Sequence, residues 1–233
     1  MKPIMLLAVA VLAATPGSAP ASPLPSDHPD PGEFASRVDN AWFPLRPHTT
    51  YLYRGIKDGQ PSRDVFRVTA RRKTIEGIAC TVVTDKLYLR GGLEERTEDW
   101  YAQDSAGNVW YFGEATAELN RDGSVKTTEG SWQAGVNGAR AGVFMPAHPH
   151  VGQSGRQELF TGHAEDHFRV LSLHATVRTP AASSRRALLT REWTPLEPGV
   201  VDHKLYVKGV GNVLEQTVKG GDERNELVAI RRG

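Results

Sequence analysis

The residues best equipped for chemistry crowd into positions 160–170, FTGHAEDHFRV. On a strand, where alternate side chains share a face, His163, Glu165, His167 and Arg169 would point one way. Ala164, Asp166, Phe168 and Val170 would point the other. Imidazole and carboxylate on one face are ordinary zinc ligands, which nominates His163, Glu165 and His167, with His148 and His150 of AHPHVG as further donors. That spacing matches no established metal motif, so these residues stand as metal candidates only and no cofactor is expected. Asp166 falls instead among apolar neighbours, where an unpaired carboxylate is costly and must either meet a cation or shift its pKa. Arg156, Lys204 or a backbone amide could supply that partner. Glu114, Glu165 and Asp166 are the carboxylates that an acid–base hydrolase or lyase of this chain would use.

A second stretch, EDWYAQDSAGNVWYFGE at 98–114, interleaves two Trp, two Tyr and a Phe with acids. Strict alternation in 109–119 puts Val109, Tyr111, Gly113, Ala115, Ala117 and Leu119 on one face and Trp110, Phe112, Glu114, Thr116 and Glu118 on the other. Large rings mixed with carboxylates suit the wall of a ligand-holding barrel, although cross-strand aromatic pairing on a solvent face would use the same residues. The expected ligand-binding set is Asp99, Trp100, Tyr101, Trp110, Phe112 and Trp132.

Other chemistries lack their signatures. There is no G-x-S-x-G nucleophile elbow and no phosphate-binding glycine loop, and GVGNVLE at 209–215 reads as a strand bend. Cys80 is the only cysteine in the sequence, set in the apolar GIACTVVTD, and is expected to be a small core residue. Charge is balanced, with 28 Lys and Arg against 27 Asp and Glu. A nucleic-acid partner would call for a clustered basic surface, and none is expected.

The elements that must position these residues are strands. TTYLYRGI, DVFRVTARRKTI, ACTVVTDKLYL, LEERTEDWYAQD and VWYFGEATAEL are rich in β-formers and separated by Asp58-Gly59, Glu76-Gly77, Gly91-Gly92 and Ser105-Ala106-Gly107-Asn108. The pattern continues through 157–177, 187–196, 203–219 and 225–232. It predicts an all-β fold, a single antiparallel meander of about ten strands curled into a barrel or half-barrel. At most one short N-terminal helix is expected, within 32–43.

The first residues read as a processing signal. Lys2, the apolar run Ile4–Ala14 and Ala19-Pro20-Ala21 fit a secretory signal peptide over 1–21, cleaved near Ala21. The run is too short to span a bilayer, so no membrane span is expected and the mature chain is placed in the periplasm or outside the cell. Residues 22–37 are Pro- and Ser-rich and read as a disordered lead-in to a single β domain at 38–233.

Several blocks occur together: NAWFPLRP (40–47), EDWYAQDSAGNVWYFGE (98–114), GSWQAGVNGARAGVFMPAHPHVG (130–152), RQELFTGHAED (156–166) and EWTPLEPGVVDHKLYVKGVGNVLE (192–215). Over about residues 38–220 the chain resembles a family of exported bacterial proteins of largely unassigned function. The resemblance implies an exported β-rich protein and carries no mechanism. Within it, Glu165 and Asp166 fall in a G-x-A-E-D block, whereas His148, His150, His163 and His167 occupy positions the pattern does not hold as His. Gly155 stands where an aromatic would be expected. The strand pattern is also similar in form to lipocalin-like and lipoprotein-carrier half-barrels. The expectation is a binding protein for a small, partly apolar ligand. An enzyme of the same shape and an envelope interaction protein without a small ligand are the alternatives; oligomeric state is not legible.

Overall fold

The computed structural model describes residues 30–233. The signal-peptide assignment and most of the lead-in lie outside them. From Asp30, whose side chain accepts a 2.9 Å hydrogen bond from Gly32 N, the chain makes one 3-10 turn, Pro31–Glu33. Sixteen strands follow: β1 (Phe34–Ala35), β2 (Thr49–Lys57), β3 (Gln60–Ile75), β4 (Ile78–Leu89), β5 (Gly92–Asp104), β6 (Val109–Leu119), β7 (Val125–Thr127), β8 (Trp132–Gln133), β9 (Arg140–Met145), β10 (Ser154–Arg156), β11 (Glu158–Leu159), β12 (His167–Arg178), β13 (Ser183–Trp193), β14 (Val201–Val207), β15 (Gly211–Lys219) and β16 (Arg224–Arg232).

Turn chemistry explains the longest hairpins. The β2–β3, β3–β4 and β4–β5 connections are two-residue loops, Asp58-Gly59, Glu76-Gly77 and Arg90-Gly91, and both residues of each have positive φ. That is the geometry whose twist matches the flanking strands. The strands form one antiparallel sheet in the order β10-β12-β13-β14-β15-β16-β2-β3-β4-β5-β6-β9-β11, with β1 added on β5 and β7 and β8 on β6. Residues 154–159 join its two ends, because β10 pairs with β12 while β11 pairs with β9. The result is a nearly closed antiparallel barrel.

The all-β expectation therefore holds, with corrections of detail. Strand count exceeds ten because long β-rich runs are broken: turns divide 124–135 into β7 and β8, and 157–177 into β11 and β12. No helix forms in 32–43; apart from the 3-10 turn, residues 30–37 hold β1, which pairs with the end of β5. The sheet thus begins before the expected boundary at Val38.

Apolar residues pack on both sides of β4–β6. Outside the barrel, Phe34 meets the rings of Trp110 and Phe112 edge-on at 6.2 and 5.6 Å, and Cys80 is fully buried. Inside, Val38–Leu45 folds back on itself through a Val38–Leu45 bridge and delivers Phe43 against Phe66, Tyr101 and Phe144. Asn40 holds this plug: its Oδ1 accepts from Trp42 N and Phe43 N, and its Nδ2 donates to the carbonyls of Gly107 and Pro146.

Candidate functional site

Alternation along each strand turns one row of side chains inward, and in this barrel the inward rows are tyrosines and acids. Tyr51 and Tyr53 come from β2, Asp64 and Phe66 from β3, Asp85 from β4, Asp99 and Tyr101 from β5, and Tyr111 from β6. Phe144, Glu158, Asp166, Lys204, Tyr206, Asn212, Glu215 and Asn225 complete the wall, and Phe43, Pro44 and Leu45 close one end. They surround a cavity of about 230 Å³. A second compartment of about 140 Å³ shares Asp64, Asp85, Glu215 and Asn225 with the first and reaches the Lys57–Glu223 ion pair. A layer of acids thus separates an aromatic chamber from a polar one.

The aromatic side is ordered by its own contacts. Tyr101 and Tyr111 stack at 4.7 Å with 17° between their planes, and Trp132 meets Tyr111 edge-on at 5.5 Å. Tyr53 Oη donates to Asn212 O at 2.9 Å, and Tyr111 Oη donates to Asp99 Oδ1 at 2.7 Å.

On the acidic side, Lys204 is the only basic residue on the larger cavity's wall, and it is already engaged. Its Nζ lies 3.0 Å from Glu192 Oε2 and 3.4 Å from Glu215 Oε1. Glu192 Oε1 also accepts from Thr190 Oγ1 and Tyr206 Oη. The remaining acids face one another. Burial first, and then the charge of Asp85, pushes the Asp99 carboxyl up to about 8, against which the Tyr111 hydrogen bond pulls down. Burial, followed by Asp99 and Glu158, raises Glu114 to about 10. Burial and Asp166 raise Glu158 to about 8, with the Trp132 indole and Lys204 opposing. Burial raises Glu215 to about 7, and Lys204 holds it from going higher. Asp64 is raised by burial, by the Asp85 charge and by a hydrogen bond to Asp85. Asp64 Oδ1 and Asp85 Oδ1 have no donor in reach beyond that shared acid proton, and Asp99 Oδ2 has none.

The sequence-derived candidates separate into groups. Asp99 and Tyr101 line the cavity. Trp132 backs it through Tyr111. Trp100 faces outward beneath Lys73, whose Nζ sits 3.2 Å from the ring centre, and Trp110 and Phe112 lie on the outer face under Phe34. The correction for β6 has a local cause. Asp99 pairs with Glu114 while Tyr101 pairs with Tyr111, so β6 carries one extra residue at Phe112-Gly113. This bulge breaks the alternation and turns Tyr111 and Glu114 to the same side.

Positions 160–166 do not continue a strand. Phe160 and Ala164 bridge a tight turn and β12 begins only at His167, so no common strand face presents His163, Glu165 and His167. His163 is exposed, stacks on Phe160 and lies 3.4 Å from Glu129; Glu165 caps Gly162 N at 2.7 Å; His167 stacks on Trp193. His148 and His150 belong to the loop after β9. Among the described residues no three His, Cys, Asp or Glu are grouped to hold a metal ion. Asp166 is not packed with Ala164, Phe168 and Val170; it stands at the cavity mouth, solvent-exposed, yet the surrounding barrel still raises its carboxyl and Lys204 pulls it back. Its charge reaches Glu114, while the Glu165 carboxylate is spent on the turn at Gly162.

Sequence reasoning missed Asp64, Asp85, Glu158, Glu192 and Glu215. Each sits on a strand of mixed polarity that reads equally well as solvent-facing. A usable signal was Asp64-x-Phe66-x-Val68, an acid in phase with apolar residues.

No family model matches this chain, and no curated protein matches it. Among solved structures it is similar to a protein of Parabacteroides distasonis provisionally described as a lipoprotein, at 9% identity and a TM-score of 0.45, covering 83% of this chain and all of the other. Among the described residues no helix is long and apolar enough to cross a membrane.

Proposed function

We propose that this chain is an exported binding protein that holds a small, partly apolar ligand in the aromatic chamber of its barrel. One observation carries the reading. The barrel interior is packed at its plug and along its β4–β6 wall, yet leaves about 230 Å³ open between the rings of Tyr51, Tyr53, Tyr101 and Tyr111. That space is somewhat smaller than a typical drug-sized pocket, roughly 300–1,000 Å³, so the ligand is compact. Rings supply apolar area with little conformational entropy to lose, and polar groups at the far end fix orientation. Export is supported by the signal-like N-terminus and by the resemblance to exported bacterial proteins.

Trp132 packs against Tyr111 and reports on the chamber. Titrating the purified protein with small aromatic and short-chain aliphatic compounds should change tryptophan emission saturably. The change should be lost when Tyr101 is replaced by Arg, which fills and charges the cavity while the variant retains its far-ultraviolet spectrum. A flat response across such a panel would remove the proposal.

A further inference from the structure

We infer that the ligand is an organic cation, a protonated amine with a short aromatic or aliphatic tail, whose charge sits against Asp64, Asp85 and Asp99. This rests on the binding function proposed above and specifies its ligand class. Three observations meet at this place.

The first is unspent hydrogen-bonding capacity. Asp99 Oδ2 is buried with no donor, and Asp64 Oδ1 and Asp85 Oδ1 have only their shared proton. Buried acceptors are normally satisfied, and leaving one bare costs about 1–3 kcal/mol. An ammonium group brings several donors and no acceptor, which is what these oxygens lack.

The second is charge. Six carboxylates line the larger cavity against a single Lys204, and that lysine is committed to Glu192 and Glu215. An anionic ligand would meet repulsion, and a neutral one would leave the acids as they are.

The third is the aromatic wall directly beside the acids. Tyr101 and Tyr111 adjoin Asp99, and ring faces attract cations as well as apolar tails. A bare metal ion fits less well, since among the described residues these carboxylates do not group as a metal shell.

Protons should report the binding. The groups facing Asp99 are Tyr111 and Glu114 from β6, Asp85 from β4, Glu95 and Tyr101 on β5, Asp64 from β3 and Glu158 from β11; burial first, then the charges of Asp85 and Glu95, raise its pKa to about 8 against the Tyr111 hydrogen bond. At pH 7 part of this cluster is therefore protonated, and an arriving ammonium should expel protons.

Three compounds of similar shape test this: phenethylamine, 2-phenylethanol and 3-phenylpropionate, titrated by calorimetry at pH 7 and 8.5 in buffers of different ionisation enthalpy. We expect the amine to bind at least about tenfold more tightly than the alcohol, more tightly still at pH 8.5, and with proton release at pH 7. The propionate should not bind. Asp99→Asn should cut amine affinity about tenfold and alcohol affinity far less. If that variant does not fold, proton release by the unaltered protein still decides. Alcohol binding as tight as amine binding, absence of proton release, or preference for the propionate would overturn the cation inference while leaving ligand binding intact. Failure of all three to bind, together with the flat fluorescence panel, would overturn the binding function itself.

Discussion

Tyr111 Oη donates to Asp99 Oδ1 at 2.7 Å inside the barrel, while the other oxygen of the same carboxyl receives nothing. The bond crosses from β6 to β5, and it exists because the Phe112-Gly113 bulge puts Tyr111 and Glu114 on one side of a strand where strict alternation would part them. Asp99, which lines the cavity, thus has one anchored carboxyl oxygen and one without a donor.

Removing that hydroxyl should separate positioning from packing. Tyr111→Phe keeps the ring stacked on Tyr101 but leaves Asp99 without its donor. Stability should fall by about 1 kcal/mol, the ordinary worth of a buried hydrogen bond, measured by urea unfolding at pH 6. The Asp99 carboxyl should titrate above its present value of about 8, since the tyrosine bond is what holds it down. An unchanged Asp99 titration by carbonyl-detected NMR would show that the hydroxyl does not govern it.

The interior acids make an unusual pH dependence. A carboxyl whose folded pKa lies above its unfolded value binds extra protons in the native state. Stability then declines as pH rises between the two values. Asp99 and Glu158 at about 8, Glu215 at about 7 and Glu114 at about 10 define a window from the unfolded carboxylate range, roughly 4, to about 10. Lys57 and Lys204, both raised, contribute stability that is complete below the ordinary lysine value and is lost only above it, outside this window. The protein should be more stable at pH 5 than at pH 8, by on the order of a few kcal/mol. Chemical-denaturation midpoints that rise from pH 5 to pH 8 would contradict the acid cluster.

How much of this was legible in the sequence depends on phase. The hairpins were, because Asp58-Gly59 and Glu76-Gly77 are turn pairs with a stereochemical reason to occur. Alternation places Asp99 and Tyr101 on one face, and they line the cavity, because β5 runs without interruption there. Trp110 and Phe112, expected on the same wall, lie outside, since a one-residue bulge separates them in phase from Glu114. Gly113 marks the bulge, but a glycine in a strand also marks bends and close approaches. Asp64, Asp85 and Glu215 were hidden for a different reason. Whether an acid on a half-polar strand points to solvent or to a wet cavity depends on closure of the sheet, which is set by 154–159 far along the chain.

Lys204 is the counterion that makes the acid interior tolerable. Lys204→Met removes the charge and keeps most of the volume, leaving Glu192 and Glu215 uncompensated. Breaking a buried ion pair from one side typically costs about 3–5 kcal/mol. The midpoint of Glu215 should climb above its present value of about 7, because the lysine opposes the effect of burial there. Adding Glu192→Gln should restore part of the loss by removing one stranded charge. A double variant less stable than Lys204→Met alone would show that Glu192 is held by Thr190 and Tyr206 rather than by the lysine.

Gly113, at the β6 bulge, should tolerate no side chain. Its φ of 120° is a conformation other residues rarely adopt, and an added Cβ would run into the Trp132 carbonyl oxygen of β8, with Gln133 Cα at 2.9 Å. Backbone cannot swing aside as a flexible side chain can, so Gly113→Ala must either displace β8 or flatten the bulge. Displacing β8 removes Trp132 from Tyr111; flattening the bulge turns Glu114 away from Asp99. Gly123 also has positive φ, 84°, but nothing lies within 4 Å of its added Cβ. It therefore isolates the cost of backbone strain, roughly 1 kcal/mol. Gly113→Ala should cost at least about 3 kcal/mol, the strain plus a forced separation of paired strands, and should shift Trp132 emission to the red. Equal losses for the two alanine variants in parallel thermal and urea unfolding would mean that β8 is not seated on the bulge, and the placement of Glu114 beside Asp99 would lose its cause.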